Sequence, residues 1–231
     1  MSDSLTVTTA DGQFQCYVAR PAAASAPVIV VIQEIFGVNA GIRSIADAYA
    51  AQGYLAVCPD LFWRAEPGLS MSEAKKEDWA KGFAIYSALN FDTSVTDVLA
   101  TVAAARSMEG GNGKVGVTGY CFGGLMTFLA AARGDADAFV AYYGGGTEKY
   151  AAEGANIKRP LLYHLAGADE YIGPDAQATI HAALKDNPHV ELHTYPGCNH
   201  AFARPDGNHY DTAAATLANS RTAAFFKQHL G

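Results

Sequence analysis

The stretch Lys114–Met126 constrains this chain most, because it demands a strand, a sharp turn and a helix in immediate succession. Val115 and Val117 alternate with smaller residues as in a short buried strand, and Leu125, Met126, Leu129 and Ala130 recur at helical spacing. Between them stands Gly119-Tyr120-Cys121-Phe122-Gly123, the pattern G-x-S-x-G with cysteine in place of serine. Glycines flank the centre because a strand turning straight into a helix crowds the two backbones, where a Cβ would clash. The central Cys121 is expected in a strained conformation that pushes its side chain out at the top of a sheet. The helix N-terminus beneath it offers free N–H groups and partial positive charge, which favour a thiolate. A glycine-rich turn around an inert cysteine would carry the same letters. Its partners further along the chain decide between the two.

Before and after this turn the chain alternates strand and helix patterns. Leu5–Thr9 and Phe14–Arg20 read as a hairpin around Asp11-Gly12, at a sheet edge. Val28–Ile32 is an unbroken β-branched run, the mark of a strand covered on both faces, and Ile42–Gln52 follows as a helix. Tyr54–Val57 is a strand, Asp92–Ser107 a helix, Phe139–Tyr143 and Pro160–Ala166 strands, Ala176–Leu184 a helix. Val190–Tyr195 is the last strand and Ala213–His229 the closing helix. Leu61–Phe91 fits this rhythm least. It contains Pro67-Gly68, a helix predicted over Ser72–Leu89, and aromatic residues mixed with lysines, and its length suggests a cap or lid element. The expectation is α/β: one domain over residues 1–231, a mostly parallel sheet with helices on both faces.

Half the residues are hydrophobic and 17% charged, so the chain can fill a sizeable core. With 16 basic and 23 acidic side chains the net charge is −7, which argues against nucleic acid or an anionic membrane as partner. No apolar segment reaches membrane-spanning length, and Met1-Ser2-Asp3-Ser4 lacks the basic start of a signal peptide. Cys16, Cys58, Cys121 and Cys198 form no C-x-x-C pair and no zinc-ligand spacing, so a reducing cytoplasm is the expected compartment.

In such sheets functional side chains gather at the carboxyl ends of strands. Cys121, Asp169 and His200 each stand in a loop after a predicted strand, and their order (nucleophile, acid, histidine) is that of the α/β-hydrolase fold. His200 can serve as general base and Asp169 can hold its tautomer. Taken alone, Asp169 between Gly167 and Pro174 would read as a turn residue. His164 and His193 lie inside strand patterns and read as packing residues; His181, His189, His209 and His229 read as surface residues. Glu34, directly after the Val28–Ile32 run, is a carboxylate at the mouth of the sheet, able either to govern the thiol proton or to pair with Arg43 or Arg64. The backbone N–H groups of Ile35 and Phe122 are the expected oxyanion donors.

With these residues together, the chain from about Val28 onward resembles the dienelactone hydrolases (carboxymethylenebutenolidases). The resemblance rests on Gln33–Asn39, Cys58–Leu61, Gly119–Gly124, Tyr142-Tyr143-Gly144 and His200–Arg204. It implies a cysteine hydrolase that opens an unsaturated lactone, dienelactone to maleylacetate, in aromatic hydrocarbon catabolism, with no metal or organic cofactor. The family's triad falls on Cys121, His200 and Asp169, and its thiol-activating glutamate on Glu34. The implied substrate is a small anion, held by Arg204 and lined by Tyr143. The family's second carboxylate-binding arginine falls near Trp79-Ala80-Lys81, where Lys81 is the available cation and no arginine stands. Two other readings stay open: a general cysteine-dependent esterase or thioesterase, and a non-catalytic module in which Cys121 binds a ligand or senses oxidants. Oligomeric state is not legible.

Overall fold

The computed structural model describes residues 4–205 and 207–231. An eight-stranded, mostly parallel sheet runs in the order β1-β2-β4-β3-β5-β6-β7-β8. The chain forms two compact units, Met1–Val117 and Thr118–Gly231.

The first unit opens with β1 (Ser4–Thr9) and β2 (Gly12–Ala19), paired antiparallel with Thr9 opposite Gly12. β2 pairs antiparallel with β4 (Leu55–Pro59), and β4 pairs parallel with β3 (Ala26–Ile32). Every residue from Val28 to Ile32 is fully buried, as a continuous β-branched run requires. α1 (Ala40–Ala51) is capped by the Asn39 side chain, which accepts from Ile42 N. α3 (Phe91–Arg106) is capped likewise by Asn90 and buries Val95, Val98 and Val102. Leu99 beside them is half-buried.

The helix expected over Ser72–Leu89 is α2, Lys76–Ala88. It starts later because Ser72 closes a turn: its N–H donates to Asp78 Oδ2 and its Oγ accepts from Ala74 N. α3 also buries Asp97, a position that helical periodicity would leave to solvent or packing alone. Asp97 accepts from Trp63 Nε1 (3.0 Å) and from both Arg64 guanidinium nitrogens, and Arg64 Nε reaches Asp11 (2.8 Å). The buried carboxylate is thus paired and hydrogen-bonded, the condition for burying a charge.

β5 (Gly111–Tyr120) runs from the first unit into the second and ends at Cys121. In the second unit α4 (Phe122–Arg133) is buried on all sides from Phe122 to Ala131, so it is a core helix. β6 (Ala138–Tyr142), β7 (Leu161–Ala166) and β8 (Val190–Tyr195) pair in parallel. β6 stops one residue short of the expected Tyr143 because Tyr143 turns to positive φ, +37°. A 3₁₀ segment, Thr147–Asn156, follows, in addition to the elements expected from the sequence. α5 (Pro174–Leu184) begins on its proline, and α6 (Thr212–Leu230) is capped by Asp211. His164 on β7 is fully buried, its Nδ1 on Tyr195 Oη (2.9 Å) and its Nε2 on Thr222 Oγ1 (3.0 Å) of α6. Thr222 in turn meets Tyr142 Oη at 2.6 Å. Among the described residues no helix is long and apolar enough to cross a membrane.

Candidate active site

Cys121 lies between β5 and α4 with φ +55° and ψ −116°, a conformation that L residues rarely adopt. Its N–H donates to Tyr142 O (3.1 Å), and its carbonyl accepts from Gly124 N and Leu125 N, so both flanks of the turn are pinned. Gly119 explains the spacing of the motif. A Cβ there would stand 2.2 Å from Gly123 O and 2.8 Å from Thr127 Oγ1, so no other residue fits the crossing. The Cys121 side chain is half-buried, as an accessible thiol should be, whereas Cys16, Cys58 and Cys198 are buried. Burial pushes those three thiols up, Cys16 to about 12.

Asp169 and His200 are brought together from the ends of β7 and β8. The two loops are laced by Ala168 N to Cys198 O (2.8 Å) and by Glu170 N to Asn199 Oδ1 (2.9 Å), and the same Oδ1 accepts from His200 N (2.6 Å) within its own loop. Asp169 Oδ2 stands 2.9 Å from His200 Nδ1. Its Oδ1 accepts from Tyr171 N (2.8 Å) and Ile172 N (3.1 Å), so Asp169 is a turn residue as well as the partner of the imidazole. Asp169 thus stands both in a turn and beside the imidazole. Fixed by three contacts, the carboxylate orients the ring and selects the tautomer with the proton on Nδ1.

The remaining ring nitrogen, Nε2, is buried and meets no acceptor of good hydrogen-bond geometry among the described residues. It lies within electrostatic reach of the Cys121 sulfur. Burial alone would hold the imidazole neutral, but negative charge on Cys121 and the Asp169 carboxylate outweigh it and raise its pKa. Tyr143 and Tyr171 pack edge-on against the imidazole with ring centroids at 5.1 and 4.9 Å. Tyr143 is fully buried; Tyr171 is half exposed and feels the charges of both Cys121 and Arg204. No motif marked Tyr171, whose only signal was its place two residues after Asp169. Arg204 is half-buried, four residues past His200, in the loop stabilised by its own N–H on Ala201 O (2.9 Å). Asp211, seven residues further on, caps α6, and Asp206 lies outside the described residues.

In the first unit, Glu34 stands two residues after the end of β3 and is almost wholly buried. The arginines considered as partners have other engagements: Arg64 with Asp97 and Asp11, Arg43 Nη2 with Ser70 Oγ (3.2 Å). Ile35 is buried in the same loop. Lys81, considered as a substrate cation, is exposed and holds Glu66 at 2.6 Å.

Residues 14–230 match the family model described as the dienelactone hydrolase family. A protein of Azospirillum brasilense is 47% identical over 222 residues, 96% of each chain. The carboxymethylenebutenolidase of Pseudomonas putida is 38% identical over 226 residues, 97% of this chain and 96% of that one. A crystal structure from Klebsiella pneumoniae subsp. pneumoniae superposes with a TM-score of 0.85 at 28% identity, covering 99% of this chain and 98% of the other.

Proposed function

Because the chain belongs to the dienelactone hydrolase family, an ester- and lactone-hydrolysing family, we propose that it opens an unsaturated lactone of the dienelactone type to a maleylacetate-type acid, with Cys121 as nucleophile. The observation that carries this reading is the Asp169–His200 pair set opposite the strained Cys121 turn.

The Cys121 thiolate attacks the lactone carbonyl, forming the C–S bond. The N–H groups of Ile35 and Phe122 hold the developing oxyanion. The ring C–O bond then breaks and its electron pair leaves as an enolate, which needs no prior protonation and drives the thioester forward. His200, oriented by Asp169, takes a proton from water. The hydroxide attacks the thioester, the C–S bond breaks, and the thiolate returns. The enolate takes up the proton held on His200 and tautomerises to the ketone. Glu34 returns its proton to the sulfur, and the new carboxylic acid releases its proton to solvent. Arg204 binds the substrate carboxylate through a charge-assisted fork, and Tyr143 lines the ring. Glu34, buried and acidic at the end of β3, takes the thiol proton as substrate arrives. The raised pKa of His200 supports a second acceptor for that proton, the imidazole itself.

The test is turnover of a dienelactone beside a series of neutral p-nitrophenyl esters. Faster kcat/KM on the lactone supports this reading. Preference for the neutral esters would make the protein a general cysteine esterase, and consumption of no more than one equivalent would make it a binding module.

A further inference from the structure

α2 is an unusual helix, because the one side of it that is buried belongs to a glycine. Of Lys76–Ala88 only Gly82 is buried. Glycine weakens a helix interior relative to alanine, so a buried one calls for a packing reason. The reason is a backbone contact. A Cβ on Gly82 would stand 2.6 Å from the carbonyl oxygen of Ile35, with Ile35 C and Cδ1 at 3.5 and 3.6 Å. α2 therefore rests with its bare backbone on the peptide that follows Ile35.

The same loop is gripped at its next residues from the same segment. Phe36 O accepts from Met71 N (2.9 Å), and the Phe36 ring meets Trp79 of α2 edge-on at 4.9 Å. Gly37, at φ +74°, bridges Ser70, and a Cβ on it would lie 2.1 Å from Leu69 O. Asn39 Nδ2 donates to Met71 O at 3.1 Å. Leu69–Phe83 is thus a mould pressed onto Ile35–Asn39, a fixed part of the framework where sequence length had suggested a lid.

We propose that Gly82 is a positioning residue for catalysis: by admitting α2 against the Ile35 carbonyl, it fixes the direction of the Ile35 N–H. This rests on the proposed oxyanion role of Ile35. A side chain at position 82 pushes on the Ile35 carbonyl and, through the two backbone dihedrals of Ile35, displaces the Ile35 N–H from the oxyanion.

The experiment compares Gly82→Ala with wild type on an acidic dienelactone and on neutral p-nitrophenyl acetate, with melting temperature measured alongside. Loss of one oxyanion donor costs roughly a hundred- to a thousandfold in kcat. A displaced donor should therefore lower kcat about ten- to a hundredfold, with KM within about threefold, and by the same factor on both substrates. Trp79→Leu, which removes the brace on Phe36 without adding bulk, should give a smaller loss, also equal on both substrates. A folded Gly82→Ala enzyme with wild-type kcat overturns the proposal. So does a loss confined to the acidic lactone, which would place the effect on substrate binding near Lys81. If Gly82→Ala fails to fold, Trp79→Leu decides, and unchanged kcat in it overturns the proposal. Wild-type protein that turns over neither substrate would instead sink the proposed function, and this inference with it.

Discussion

The turn at Cys121 and the turn at Glu34–Gly37 both depend on glycines that let backbones touch, yet they are held from different distances along the chain. Gly119 is crowded by Gly123 and Thr127, its neighbours in the same strand–turn–helix unit. Gly37 is crowded by Leu69, and Ile35 is pressed by α2 at Gly82, both from a segment that joins the loop only in the folded chain. A device made of near neighbours carries its own signature. One assembled from remote segments shows in the sequence only as an unexplained glycine.

That contrast is open to direct attack. The largest effect belongs to the self-contained turn: Cys121→Ala should lower turnover by about a thousandfold or more while the melting temperature stays near wild type. Retained turnover would remove the nucleophile assignment, and a collapsed fold would show that the turn is less self-sufficient than its contacts suggest. Next comes the remotely held loop. Glu34→Gln should slow acylation about a hundredfold in stopped-flow measurements if the carboxylate takes the thiol proton. Normal acylation with altered stability would assign the proton to His200 alone.

Arg204→Ala is expected to be smaller and selective. Losing one charge-assisted contact costs about 1.5–3 kcal/mol, or roughly ten- to a hundredfold in kcat/KM on an acidic lactone, with little change on a neutral ester of equal size. Equal losses on both would mean that the residue supports its loop. The smallest effect concerns the second unit's interior. Burial, with His193 and Arg221 nearby, holds the His164 pKa well below its ordinary value. The folded protein thus binds that proton less readily than the unfolded chain, and stability present above about pH 6.5 is lost as pH falls below it. Urea unfolding at stepped pH should show a slope of about 1.4 kcal/mol per pH unit from this one group, absent in His164→Gln. An unchanged slope in the variant would place the acid sensitivity elsewhere.

What could be read from the sequence follows the same division. Strand and helix alternation, the Cys121 turn and the order of Asp169 and His200 are all written in short windows with their own periodicity or turn residues. The α2 boundary was misplaced because Ser72 and Asp78 form a local turn that imitates a helix start. Asp97 carries no local signal because its partners Trp63 and Arg64 come from the segment between β4 and α2, and Tyr171 carries none because packing against an imidazole has no sequence pattern. The Tyr142–Thr222–His164–Tyr195 network joins β6, β7, β8 and α6, so it exists only once those elements have paired.

The unequal burial of the four cysteines also makes the protein its own counting device. Three thiols are shut inside the fold with their ionisation suppressed, and one stands half-open in the strained turn. A chromogenic disulfide reagent at neutral pH should therefore release one rapid equivalent per folded chain and the rest only on unfolding. The size of that burst reports the fraction of a preparation whose nucleophile is intact. Storage losses to air or peroxide would then appear as a shrinking burst before any change in the fold.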